Sequence, residues 1–377
     1  MSLILSKNLN TYVSAYSLLL TNQCNLKCVY CYESHCSDFM TIDVAKETLK
    51  FLFETNKNNN QQLALTLFGG EPTLNIPVIK TIMEYGEVLC NNYKRNLHLN
   101  MITNTTIFPD ELYYLFKYYL KFYNFSVQMS VDGNEETQIK NRPSRDGRNL
   151  FNGILDNIYK YQKLFKDNPR SLTIHGCLNK NSIRHLFDNY LFFKGLGLKS
   201  IWFCPIMNTD WTEEDVNIYY NEYEKIYKYI TRNPNTVYND ILEFAPFDKG
   251  LGSGTCNPVR PCGMGIHYLA VSPNGDIYPC HQFYYGDKEE NDSRLGDVYE
   301  GIDEYKKYIF SRYENSDLTG CQKSCTHSDK CYRCVAANYM EYGSMFSQIT
   351  GNYCKLMKID EFFQKLIKEE LVINNVN

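Results

Sequence analysis

The sequence predicts an α/β fold: a partial (βα)6 barrel of the TIM-like kind, followed by a small cysteine-rich α+β region. Three observations predict it. Between about residues 14 and 232, six short strand-like runs alternate with helix-length stretches. Polar or glycine-rich signals follow the first four of those strands, where a βα barrel gathers its functional groups. After about residue 235 the composition changes, and Gly, Pro and Cys crowd into "LGSGTCNPVRPCGMGIHYLAVSPNGDIYPCHQF". The chain is therefore expected to divide at 1–235 and 236–377.

The strands are read in order as "SAYSLLL" (14–20), "LALTLF" (63–68), "LHLNMIT" (97–103), "FSVQMSV" (125–131), "SLTIHGC" (171–177) and "SIWFCPI" (200–206). Each is a short apolar or alternating run bounded by turn-forming residues. Strands each followed by a helix pair in parallel through crossovers. "TIDVAKETLKFLFETN" opens on Thr41, a good N-cap. In "TEEDVNIYYNEYEKIYKYI", Thr212 and Asp215 resemble a capping box. Val216, Tyr219, Tyr220, Tyr223, Tyr227 and Ile230 share one face there, a stripe read as core packing. "YLAVSPNGDIYPC" reads as a hairpin turning on Asn274-Gly275.

Hydrophobic residues make up 44% and charged residues 22%, the balance of a globular protein with a sizeable core. The formal net charge is −4 and the pI about 6.0, so no basic field points to nucleic acid. The first twenty residues lack a secretory h-region, and no apolar run approaches the roughly 20 residues a membrane span needs. A cytoplasmic location is expected. In a reducing compartment fifteen cysteines read as metal ligands or redox groups, not disulfides.

"TNQCNLKCVYCYE" places Cys24, Cys28 and Cys31 within eight positions after the first strand. A tetrahedral structural zinc site wants four ligands, so three thiolates leave one metal position open. "FGGEP" follows the second strand, "TNTT" the third and "SVDG" the fourth. The C-x3-C-x2-C spacing resembles that of the radical S-adenosylmethionine (SAM) superfamily. That resemblance implies a [4Fe–4S] cluster on Cys24, Cys28 and Cys31, with SAM on the iron that lacks a protein ligand. It further implies Tyr30 near the adenine, backbone groups of Gly69, Gly70 and Glu71 on the SAM amine, and Ser130 on the ribose. Arg142 is implied for the SAM carboxylate, with Asn104 and Leu178 in the same pocket, while Asp132 reads as a turn former. A partial zinc ribbon is the alternative for the triplet alone.

Eight further cysteines lie at 256, 262, 280, 321, 325, 331, 334 and 354. Their arrangement resembles the SPASM extension of radical SAM peptide and protein maturases. The resemblance implies two auxiliary [4Fe–4S] clusters, one on Cys256, Cys262, Cys280 and Cys334, the other on Cys321, Cys325, Cys331 and Cys354. The dense group here is C-x3-C-x5-C-x2-C, with the family's outer gaps exchanged, which leaves the partition between the clusters open. Two zinc sites would satisfy the same thiolate count. Cys90, Cys177 and Cys204 read as buried small hydrophobes, and Cys36 as exposed without a defined role.

The residue after Cys280 is His281, a candidate catalytic group, where the sulfatase-maturing branch typically carries Asp. The resemblance therefore implies a maturase of ribosomally made peptides, using a 5′-deoxyadenosyl radical to form a thioether or other side-chain crosslink. An anaerobic sulfatase maturase is the alternative, and a zinc-dependent binding module without turnover is the alternative of another class. Implied partners are a precursor peptide and a low-potential electron donor such as flavodoxin or ferredoxin. Only 23 residues precede the triplet, so leader recognition falls to the body of the protein or to a separate leader-binding protein.

Overall fold

The computed structural model describes residues 13–58, 62–207, 209–232, 263–286, 293–311, 334–343 and 351–376. Six parallel strands form its centre: β1 (Ala15–Leu19), β2 (Leu63–Phe68), β3 (Leu97–Thr103), β4 (Asn124–Met129), β5 (Leu172–Leu178) and β6 (Ile201–Pro205). They pair consecutively, β1 through β6, all in parallel. The intervening helices are α1 (Ile42–Thr55), α2 (Ile76–Tyr93), α3 (Asp110–Tyr119), α4 (Glu135–Asn141), α5 (Phe151–Leu164) and α6 (Leu186–Gly195). The expected strands and the mixed α/β barrel are present, with boundaries moved by one or two residues.

Local chemistry explains the helix starts. Thr41 accepts the Val44 N–H at 3.2 Å and opens α1. Its apolar positions then recur three and four apart, and Leu49, Leu52 and Phe53 are wholly buried. Full burial of such a side chain contributes about 1.5–3 kcal/mol. Thr212 and Asp215 do form a capping box: each backbone N–H donates to the other's side chain, at 2.9 and 3.2 Å. It starts α7 (Glu213–Arg232). The stripe on α7 differs from expectation at two places. Tyr220 is exposed and Ile226 is buried, because the inward face runs Val216, Tyr219, Tyr223, Ile226, Ile230.

On β3 to β6 the burial alternates. Leu97, Leu99, Met101 and Ile174 pack in the core, while His98, Asn100, His175 and Trp202 are only partly covered on the opposite face. That second face is polar. Ser126 bonds Asn100 at 3.0 Å, Gln128 meets His175 at 3.2 Å, and His175 stacks on Trp202 at 4.1 Å.

The later strands extend the same sheet. β7 (Tyr268–Val271) pairs in parallel with β1 on the side away from β2. β8 (Asp276–Tyr278), β9 (Gly296–Asp297) and β10 (Gly301–Ile302) follow in antiparallel order, giving ten strands among the described residues. The β7–β8 hairpin turns at Asn274-Gly275 as expected; Gly275 has φ +94°, which suits glycine. Four helices complete the described chain: α8 (His281–Gly286), α9 (Glu304–Ser311), α10 (Val335–Tyr342) and α11 (Asn352–Val376). α11 packs along α7. The expected boundary at 235/236 lies outside the described residues.

Candidate active site at the barrel mouth

The loop after β1 carries Cys24, Cys28 and Cys31 and packs on the loop after β2. Glycine makes that packing feasible. A Cβ on Gly69 would lie 2.3 Å from the Thr21 carbonyl oxygen, and one on Gly70 would lie 2.3 Å from that of Gln23. Gly69 also has φ +109°. The Gly70 and Glu71 N–H groups donate to the Thr21 and Gln23 carbonyls, both at 2.9 Å. With its N–H groups used this way, this segment offers a ligand carbonyl oxygens, which suit an ammonium.

Glu71 is a buried strut. Its carboxylate accepts from the Thr73 N–H and hydroxyl, the Thr103 hydroxyl and the Asn104 N–H, at 2.6–3.1 Å. Burial pushes its pKa up, and those donors oppose the rise. Asn104 donates to the Asn25 side chain at 2.8 Å and approaches the Cys24 sulfur at 3.7 Å. The β1, β2 and β3 loops are thus tied together around the first thiol.

Asp132 is the organising residue that sequence reading missed. It is wholly buried. It accepts from the Tyr30 hydroxyl at 2.5 Å, Asn141 at 2.9 Å, the Arg142 Nε at 2.9 Å and the Cys177 backbone N–H at 2.9 Å. A turn former would need only its own neighbours; four donors from three separate segments make it a hub. Asp after a strand followed by Gly looks like a turn, and its partners become visible only in three dimensions. Arg142 keeps its remaining guanidinium nitrogens toward Cys28 at 4.0 Å and Cys177 at 3.8 Å, with its carbon 5.4 Å from the Tyr30 ring centre. Tyr30, Arg142 and Cys28 therefore meet at one place.

Ser130 stands at the end of β4, its N–H on the Thr103 carbonyl. Leu178 is fully buried in the main core. Its neighbour Cys177 faces the Arg142 side instead. Cys177 and Cys204 are paired across β5 and β6 on the open face and are half-buried, which corrects their reading as core hydrophobes. Strand alternation carried them out of the core. Cys90 is buried, as expected, and Cys36 is exposed.

The triplet suits an iron–sulfur cluster by its donors: three soft thiols on one loop, graded from buried Cys24 to exposed Cys31. Burial pushes the Cys24 thiol up to about 12 and that of Cys31 to about 11, so cluster binding must displace protons. Burial raises Cys28 too, against the pull of Arg142. Among the described residues no three Cys, His, Asp or Glu side chains close into a finished metal cage. Glu33, another residue not anticipated, is pushed up to about 7 by burial beside the triplet.

His281, at the start of α8, is brought to this mouth. Its Nδ1 lies 2.9 Å from the Tyr268 hydroxyl, and its ring centre is 4.7 Å from Phe68 and 6.1 Å from Tyr32. Burial lowers its pKa to about 4, leaving the imidazole neutral. Cys280 and Cys334 share one small apolar cluster with Met264, Phe283, Val335 and Ala336. Cys354 stands near the start of α11. Cys256, Cys262, Cys321, Cys325 and Cys331 lie outside the described residues.

The parallel βα barrel thus carries three soft metal donors on the loop after its first strand. Residues 18–188 match the Radical SAM superfamily model. It is similar to the cysteine-type anaerobic sulfatase-maturating enzyme of Clostridium novyi, 25% identical over 338 residues, 83% of each chain. It is also similar to the radical SAM cyclopropyl synthase TigE of Paramaledivibacter caminithermalis, 22% identical over 95% of this chain and 75% of TigE. The solved structure of native anSMEcpe with bound AdoMet and the Cp18Cys peptide shares the fold, with TM-score 0.71 and 20% identity over 96% of this chain and 100% of the other.

Proposed function

We propose that this chain is a radical SAM peptide maturase that installs an intramolecular crosslink, thioether or other side chain, in a ribosomally made peptide. The observation that carries the reading is the residue after Cys280. A neutral imidazole, His281, sits against Phe68 and Tyr32 at the barrel mouth, where the resemblance implies an Asp in the sulfatase-maturing branch. When bound, SAM and the cluster on Cys24, Cys28 and Cys31 would supply a 5′-deoxyadenosyl radical able to take hydrogen from an unactivated C–H bond.

The chain's own residues position and enclose. Carbonyls of Gly69 and Gly70 would accept the SAM ammonium, while Glu71 holds their loop. Arg142, fixed by Asp132, would face the SAM carboxylate. The Tyr30 ring would lie on the adenine, its hydroxyl anchored to Asp132, and Ser130 would meet the ribose. Asn104 stands beside Cys24, and Leu178 backs the pocket from the core. Fixing a reactant near its target in a water-excluding mouth lowers the barrier mainly through positioning. In the tautomer that carries its proton on Nδ1, toward the Tyr268 oxygen, His281 would keep a lone pair on Nε2 to accept a proton from the substrate side chain.

The two units 1–235 and 236–377 would divide the labour, the first holding SAM and the second two auxiliary [4Fe–4S] clusters. Cys256, Cys262, Cys280 and Cys334 form one set, and Cys321, Cys325, Cys331 and Cys354 the other. The shared packing of Cys280 and Cys334 supports that partition. A flavodoxin or ferredoxin would deliver the electron, and a separate leader-binding protein would present the precursor peptide. A second reading, an anaerobic sulfatase maturase, is favoured by the similarity to the Clostridium novyi enzyme.

The test is mass spectrometry after anaerobic incubation of reconstituted protein with SAM, reductant and a candidate substrate. A Cys-rich precursor peptide that loses two hydrogens and fragments as a crosslinked ring supports the proposal. Conversion of a sulfatase peptide to an aldehyde, with precursor peptides untouched, overturns it in favour of the second reading.

A further inference from the structure

The helix that carries Cys354 is docked to the barrel by a seam with an unusual member. On α11 the buried positions are Tyr353, Leu356, Asp360, Phe363 and Ile367. On α7 they are Asp215, Val216, Tyr219, Glu222, Tyr223, Ile226 and Ile230, and the rings of Tyr220, Tyr223 and Tyr227 meet Phe363 of α11. The α11 series, and Val216, Tyr219, Tyr223, Ile226 and Ile230 of α7, step by three and four, the spacing of a coiled-coil seam. Four cross-contacts fix the direction. Asn352 Nδ2 donates to the Trp211 carbonyl at 2.8 Å, Lys355 pairs with Glu213, Tyr219 donates to Asp360 Oδ1 at 2.5 Å, and Tyr227 donates to Glu370 at 3.3 Å. Each pair is separated by 141 to 143 residues, so the two helices run parallel in one register.

Along α11, Asp360 is the exception in an otherwise apolar and aromatic series. It is 1% exposed. An apolar seam tolerates slippage, since one leucine replaces another at little cost. A buried polar group does not, because only the right register supplies its partner. Here Tyr219, with Tyr223 beside it, is that partner. A three-residue slip would put Asp360 against apolar neighbours and move Cys354 along the axis by about 5 Å. That displacement exceeds what a cluster ligand can absorb, since metal–ligand distances hold within about 0.2 Å.

We propose that Asp360 is a positioning residue: its contact with Tyr219 locks the α7–α11 register and so sets where Cys354 stands against the barrel. The consequence for the auxiliary cluster rests on the ligand role proposed for Cys354; the lock itself does not.

The experiment uses the full chain, reconstituted anaerobically and treated with a zero-length carbodiimide, which couples a lysine to a carboxylate in contact. The wild type is expected to yield the Lys355–Glu213 peptide pair. Asp360→Leu should lower that yield about tenfold and give a new Lys358–Glu213 pair, the product of a three-residue slip. Tyr219→Phe, which removes only the donor, should do the same to a lesser degree, and Asp360→Asn, which keeps an acceptor, should restore the native pair. In the slipped variant, product per 5′-deoxyadenosine should fall while SAM cleavage persists, with a changed auxiliary-cluster EPR signal. Native coupling in both Asp360→Leu and Tyr219→Phe overturns the lock. Lost coupling with an unchanged EPR signal keeps the lock and refutes the ligand role of Cys354.

Discussion

At the scale of single residues, Asp132 decides the most. It is wholly buried and answers a buried cation, Arg142, at 2.9 Å. Removing one partner of such a pair leaves an uncompensated charge, which costs about 3–5 kcal/mol. Asp132→Ala is therefore expected to lower the unfolding free energy by that amount in urea titration, and to weaken SAM binding because Arg142 and Tyr30 lose their common anchor. Gly70 is the second decisive residue. Gly70→Ala forces a Cβ to within 2.3 Å of the Gln23 carbonyl oxygen, against backbone that cannot yield locally. The triplet loop must lift, and the variant should bind less iron at the first site and release at least about tenfold less 5′-deoxyadenosine. Wild-type rates in Gly70→Ala would show that the two loops are not coupled. The glycines were legible in the sequence, since "FGGEP" is a local string. Asp132 was not, because its four partners come from three separate segments.

At the scale of elements, periodicity served well where one face was buried and poorly where it was shared. β3 and β5 alternate cleanly, so their limits followed from the sequence to within a residue. Cys177 and Cys204 were misplaced because the open face of the barrel is itself half-covered, and a cysteine gives no sign of which face it takes. On α7, six aromatic or aliphatic positions competed for one stripe; Ile226 took a buried place outside that set, while Tyr220 stays exposed at the margin, its ring 5.2 Å from Phe363 of α11. The α7–α11 seam also carries a pH dependence. Burial raises Asp360 to about 8, against the Tyr219 and Tyr223 hydroxyls that lower it. Cys204 faces the same carboxyl, and the Lys355–Glu213 pair and Glu370 flank the seam. A raised folded pKa means that the folded state holds the proton longer than the unfolded chain, whose Asp titrates near about 3.9. The stability that Asp360 contributes is full below that value and is lost as pH rises to about 8. The melting temperature of Asp360→Asn relative to wild type should thus rise between those limits. A difference that stays flat with pH would show that the carboxyl is not buried as described.

At the scale of the whole molecule, the ten strands among the described residues form one sheet that joins the barrel to the later region. β7 lies beside β1, so the segment leading to Cys280 and His281 is delivered to the edge that carries the triplet loop. This arrangement was not legible in the sequence. The hairpin itself was, from Asn274-Gly275, but nothing local indicates which strand a hairpin will join. The same geometry explains why His281 contacts Phe68 and Tyr32 across more than 200 residues of chain. Among the described residues no helix is long and apolar enough to cross a membrane. Metal content separates the enzyme from a zinc-binding module. Replacing Cys24, Cys28 and Cys31 together by alanine should remove about 4 of about 12 irons and abolish SAM cleavage, leaving the remaining clusters in place. A colourless protein with stoichiometric zinc would contradict this.

The most direct measurement is the quantity of 5′-deoxyadenosine released when the anaerobically reconstituted protein is reduced in the presence of SAM. Release that depends on reductant and disappears when any one of the three amino-terminal thiols is replaced is the outcome the site geometry predicts. Intact clusters that yield none under any reducing condition would contradict it.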